Sequence, residues 1–122
     1  MGYRSDVKAV FYTKAKEKWP LLKLYMEENF PKELSLELIE RSHCYGYVFS
    51  AASVKWYASY DGVKAFDAFV DAYRSLIASK SSTVSWVYEF VRIGEDYTDI
   101  ETDNEGDGSW VLAVSRYIET DF

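Results

Sequence analysis

Hydrophobic and polar positions change period several times along the chain, and each change marks an expected element. Val7-Lys8-Ala9-Val10-Phe11-Tyr12-Thr13 is β-branched and aromatic, the composition of a strand partly buried on both faces. Leu21, Leu22, Leu24, Tyr25 and Met26, set among Lys and Glu, fit a helix with Pro20 in its first turn, where a missing N–H loses no partner. That helix should end by Asn29-Phe30-Pro31, because the residue before a proline avoids helical backbone. Leu34-Ser35-Leu36-Glu37-Leu38-Ile39-Glu40 alternates at period two and reads as a strand, although a helical turn fits the same residues. Aromatics, valines and small residues from Tyr45 to Tyr57 then predict a strand ending near Trp56, with Gly46 as a break or bulge.

The second half is patterned more strongly. Asp61-Gly62 caps a helix in which Val63, Phe66, Phe69, Val70, Tyr73, Leu76 and Ile77 recur at three- and four-residue steps. Ser81-Ser82-Thr83 breaks it. From Val84 to Ile93, Trp86, Tyr88 and Phe90 share one face and Val87 and Val91 the other, so this strand should be central. Its antiparallel partner is expected at Trp110–Ile118, which leaves residues 94–109 as a long acidic loop. The order resembles a ferredoxin-like α+β sandwich, an antiparallel sheet with two helices on one face, built as a single domain over 1–122.

Composition fits one domain: the chain has 122 residues, of which 48% are hydrophobic and 18% aromatic, enough to fill a core. Core burial accounts for most of the rings, and the uncovered sheet face would offer the remainder to a partner or a homodimer. Cys44 is the single cysteine, so no internal disulfide exists. The amino-terminal residues lack the apolar run of a signal peptide and no stretch is long enough to span a membrane, so the expectation is a cytoplasmic protein without a membrane contact. His43-Cys44 is the only neighbouring pair with nucleophilic character; strand neighbours point to opposite faces, and the reading is a buried structural thiol beside an ordinary histidine.

The net charge of −6 is unevenly spread. Residues 1–60 hold nine Lys and Arg against seven Asp and Glu, whereas 61–122 hold five against thirteen. Phosphate recognition draws on clustered cations, so the acidity speaks against direct nucleic-acid binding and favours a basic protein surface. Glu95, Asp96, Asp99, Glu101, Asp103, Glu105 and Asp107 lie in one stretch with no Lys or Arg among them, and form the candidate binding site. Asp103, Glu105, Asp107 and Gly108 echo the start of a calcium loop, but the twelfth place, which needs a bidentate Glu, is Val114. No metal site or cofactor is therefore assigned. A pair of these carboxylates could serve a hydrolase only in a rigid frame, which a Gly- and Asp-rich loop does not offer. Arg92 and Arg116 interrupt apolar strands and need acidic partners, with Glu89, Asp96, Asp99 or Glu101 as candidates for structural ion pairs. No phosphate-binding glycine loop is present.

Met1-Gly2-Tyr3-Arg4-Ser5, Val54-Lys55-Trp56-Tyr57, Phe90-Val91-Arg92-Ile93-Gly94-Glu95-Asp96, Asp99-Ile100-Glu101 and Val114-Ser115-Arg116 together resemble small proteins of tailed bacteriophages and prophages. The resemblance names no reaction. It implies an accessory protein in a bacterial cytoplasm that binds host or phage machinery, as in host takeover or anti-defence, without catalysis. The expected contact is the acidic loop with nearby exposed aromatics; a Ca²⁺- or Mg²⁺-binding module or hydrolase, and a self-associating structural protein, are the alternatives.

Overall fold

The computed structural model describes residues 3–79, 85–96, 98–106, 112–114 and 118–120. Its elements are β1 (Ser5–Thr13), α1 (Trp19–Asn29), β2 (Glu37–Glu40), β3 (Tyr45–Val54), α2 (Asp61–Ser79), β4 (Trp86–Gly94), β5 (Ile100–Glu105), β6 (Leu112–Val114) and β7 (Ile118–Thr120). The first five strands form one antiparallel sheet in the order β2-β3-β1-β4-β5. The fold is α+β, with β1 in the middle as its two-sided apolar pattern requires.

Both helices lie on one face of the sheet. Val7, Ala9 and Phe11 of β1 and Trp86, Tyr88 and Phe90 of β4 meet Leu22 and Met26 of α1 and Phe66, Phe69, Tyr73 and Ile77 of α2 in one cluster. Phe11 is the hub, with ring centroids at 5.3 Å from Tyr73, 5.4 Å from Phe69 and 5.9 Å from Phe30, all in edge-on geometry. Most rings are thus core, and Tyr3 and Tyr60 are the large exposed aromatics among the described residues. Pro20 stands in the first turn of α1, and Phe30 caps its end before Pro31.

Three expectations are corrected. Gly46 does not break β3: the strand pairs through it with Tyr12 on one side and Ile39 on the other. A side chain there would collide with β1, so the glycine marks a close approach. Secondly, residues 94–109 are not one long loop, because Ile100–Glu105 is β5, joined to β4 by the short turn at 95–99. The partner of β4 is this nearer segment, and the later residues expected there supply β6, which pairs with β7 in a separate two-stranded sheet. A short hairpin has less closure entropy to offset than a sixteen-residue connection, and an edge position tolerates a charged strand. Thirdly, the second sheet face is not bare: Val10, Tyr12, Val48, Val87 and Val91 receive Leu112 of β6.

Glu89, 1% exposed, joins β6 to that face. Its carboxylate accepts hydrogen bonds from Tyr12 Oη at 2.7 Å and from the Leu112 backbone N–H at 3.2 Å. In Glu89→Leu both donors lose this acceptor, and the expected loss is about 2 kcal/mol in urea unfolding, the cost of unmet buried hydrogen bonds. Amide exchange should accelerate at Leu112 and not at β3; equal protection of Leu112 in both proteins would contradict the role of Glu89 as a latch. Among the described residues, no helix is long and apolar enough to cross a membrane.

Candidate binding cleft

The charged residues gather where α2 passes over β4 and β5. Strand alternation puts Glu101, Asp103 and Glu105 on the helix side of β5, opposite Arg92, Phe90 and Tyr88 of β4, while Thr102 and Asn104 face the other way. On α2, Asp67, Asp71 and Arg74 recur at four- and three-residue steps beside the apolar stripe of Val63, Phe66 and Val70, which turns them toward the same place. The floor between is Tyr88 and Phe90, and Tyr3, Trp56 and Tyr57 border one end. The result is a cleft of about 580 Å³.

Arg92 makes four hydrogen bonds to three residues. Its Nη2 and Nη1 donate to Asp99 at 2.9 and 3.2 Å, its Nε to Glu101 at 3.0 Å, and Nη1 also to Ser5 Oγ at 3.1 Å. With its side chain only 16% exposed, the guanidinium gains more from these partners than a surface pair would. Asp99 holds the Arg92 guanidinium above its ordinary pKa, and Arg92, helped by the Tyr3 hydroxyl at 2.6 Å, holds the Asp99 carboxyl below its own. Arg74 is bonded to Asp103 and reaches Glu105 at 3.3 Å. These pairs explain why a strand of Glu, Thr, Asp and Asn forms at all: its helix-side carboxylates meet cations supplied by β4 and α2.

The turn is tied to the amino terminus. Glu95 accepts from the Arg4 backbone N–H at 2.6 Å, Asp96 closes the turn by accepting from Thr98 N–H at 3.1 Å, and the Asp96 N–H donates to Tyr3 Oη at 2.9 Å. Arg4 in turn donates to the Ser53 carbonyl at 2.8 Å, where Ser53 adopts a left-handed φ of 54°. The seven expected site residues therefore separate. Asp99 and Glu101 serve Arg92, Asp103 and Glu105 serve Arg74, Glu95 and Asp96 order the turn, and Asp107 lies outside the described residues, as does Arg116. A freely presented acidic loop is not what these side chains form. Arg92 makes the ion pairs expected of it, through Asp99 and Glu101 and not through Glu89, which points to the opposite face.

Arg74, Asp67 and Asp71 were not singled out by sequence reasoning, and Tyr88 was read there only as a core-face residue; all four complete the cleft. Asp67 and Asp71 make no hydrogen bond or ion pair with any described residue, and burial, with Asp71 and Glu101 close by, pushes the Asp67 carboxyl up. The carboxylates lining the cleft, Asp67, Asp71, Asp99, Glu101 and Asp103, outnumber the guanidinium groups of Arg74 and Arg92 by three. The chain matches no known protein family, no curated protein and no solved structure. What the cleft does must follow from its own chemistry. Cys44 is buried on the other sheet face with its thiol pushed up to about 11 by desolvation, and among the described residues exposed His43 meets only Ser42, so the two side chains are not brought together there as a nucleophile and its base. Among the described residues, no three His, Cys, Asp or Glu side chains are placed to hold a metal ion.

Proposed function

We propose that this protein is a non-enzymatic binding module on a ferredoxin-like sandwich, an accessory protein of the tailed-phage kind in a bacterial cytoplasm. It engages a basic surface of a host or phage protein with the acidic rim of β5 and α2. The observation that carries this reading is the anionic excess that remains after Arg74 and Arg92 are paired, located beside Tyr3, Trp56 and Tyr57. Charge at a rim speeds encounter, and neighbouring rings supply apolar contact at low entropy cost. Support for the sandwich is the strand order β2-β3-β1-β4, with a helix between β1 and β2 and another between β3 and β4, β5 being added at the outer edge. The metal-binding and self-associating readings have less behind them, since Asp99, Glu101, Asp103 and Glu105 are engaged by arginines and Leu112 sits on the second sheet face.

An oligolysine peptide tests the rim. Its affinity for the wild-type protein should fall with rising salt, and Asp67→Asn with Asp71→Asn should weaken it by about tenfold while the ion pairs of β5 persist. Binding that is equal in the two proteins would remove the rim as a contact surface.

A further inference from the structure

The cleft contains a buried polar group that no described residue engages. Tyr88 is 2% exposed, lines the cleft floor, and its hydroxyl has no hydrogen-bond partner among the described residues. The other two deeply buried tyrosine hydroxyls do: Tyr12 donates to Glu89 at 2.7 Å and Tyr73 to the Val87 carbonyl at 3.1 Å. A buried hydroxyl without a partner is destabilising and calls for an explanation. Its surroundings identify one, for Asp103, Arg74, Asp67 and Glu101 line the same cleft and act on it electrostatically, three acids and a base already occupied by its own pairs.

We infer that the Tyr88 hydroxyl, with the unpaired Asp67 and Asp71 carboxylates, receives the guanidinium of an arginine side chain presented by the basic partner. This assignment rests on the reading of the protein as a binding module and adds the chemistry of its central contact. Three acceptors face a group with five N–H donors and no acceptor. The aromatic surfaces of Phe90, Trp56 and Tyr57 suit a planar, weakly hydrated cation that stacks as well as hydrogen-bonds. A divalent metal ion would need its oxygen ligands gathered at short range, and the described carboxylates are not so gathered. The two resident arginines do not fill the role, because each is fixed by carboxylates of β5 and the turn.

The test compares N-acetyl-arginine-N-methylamide with its neutral citrulline isostere by heteronuclear NMR titration of the full chain. The arginine compound should shift Asp67, Asp71 and Tyr88 signals with weak, saturable binding, and the citrulline compound should bind about tenfold less tightly, the loss of one charge-assisted contact. Tyr88→Phe should keep the fold and a melting temperature equal to or above that of the wild type, since it removes only an unsatisfied group, yet weaken the arginine compound severalfold. Equal binding of the two compounds, or of wild type and Tyr88→Phe, overturns the assignment. Spermidine binding more tightly than the arginine compound also overturns it, in favour of a free polyamine. Oligolysine binding that depends on Asp67 and Asp71 while the arginine compound fails to bind would leave the rim standing and remove this site alone.

Discussion

Gly46→Ala is expected to destabilise the protein by at least the roughly 3 kcal/mol that marks the upper end of ordinary overpacking. The added methyl would fall on the Phe11 carbonyl oxygen and on Cα and Cβ of Tyr12, which belong to the strand paired with Gly46. A flexible side chain end could turn aside, but these atoms cannot move without shifting β1. That strand carries Phe11 into the helix-side core and Tyr12 into the opposite one, so the displacement would reach both. Against a total stability of about 5–15 kcal/mol, such a loss is a large fraction. Urea unfolding of the two proteins measures it, and a cost under about 1 kcal/mol would mean that β1 and β3 do not meet at this register.

The same glycine shows where sequence reading reaches its limit. Period-2 and period-3.6 patterns are local, and the elements whose stability is local in that sense were legible: α2, the two faces of β4, and the proline-bounded α1. Gly46 has the same identity in a bulge as in a close strand approach, and only the position of β1 distinguishes the two. The segment Ile100–Glu105 offers only Ile100 and Thr102 as strand formers, and its pairing is supported by Arg92 and Arg74, nine positions from Glu101 and twenty-nine from Asp103. Arg92 was legible because a cation within an apolar strand requires a partner; Arg74 was not, because an arginine on a helix flank is ordinary. Tyr88 was read correctly as a core-face residue, and its unmet hydroxyl becomes visible only when the packing around it is known.

Alkaline solution should unfold this protein steeply. Burial, together with hydrogen bonding to Glu89 in the case of Tyr12, pushes the phenols of Tyr12, Tyr73 and Tyr88 far above their ordinary value. Burial, with Glu27 close by, pushes Tyr47 up to about 12, and burial pushes the Cys44 thiol up to about 11. In the unfolded chain these phenols ionise near 10.0 and the thiol near 9.0. Between the unfolded and folded values the unfolded state binds fewer protons than the native one, so stability falls as pH rises. The contribution is fully present below pH 9 and is lost progressively above it, first through Cys44 and then through the tyrosines. Each group with a raised value removes about 1.4 kcal/mol per pH unit in this window, so three tyrosines together remove about 4 kcal/mol between one pH unit and the next. Tyr73 donates its hydroxyl hydrogen to the Val87 carbonyl at 3.1 Å, and a phenolate there would face that oxygen at a position closed to bulk solvent. Urea midpoints at successive pH values, read beside tyrosinate absorbance near 295 nm, should show the buried phenols ionising together with the loss of tertiary structure. Titration of all eleven tyrosines near pH 10 with the fold intact would show instead that these rings are open to solvent.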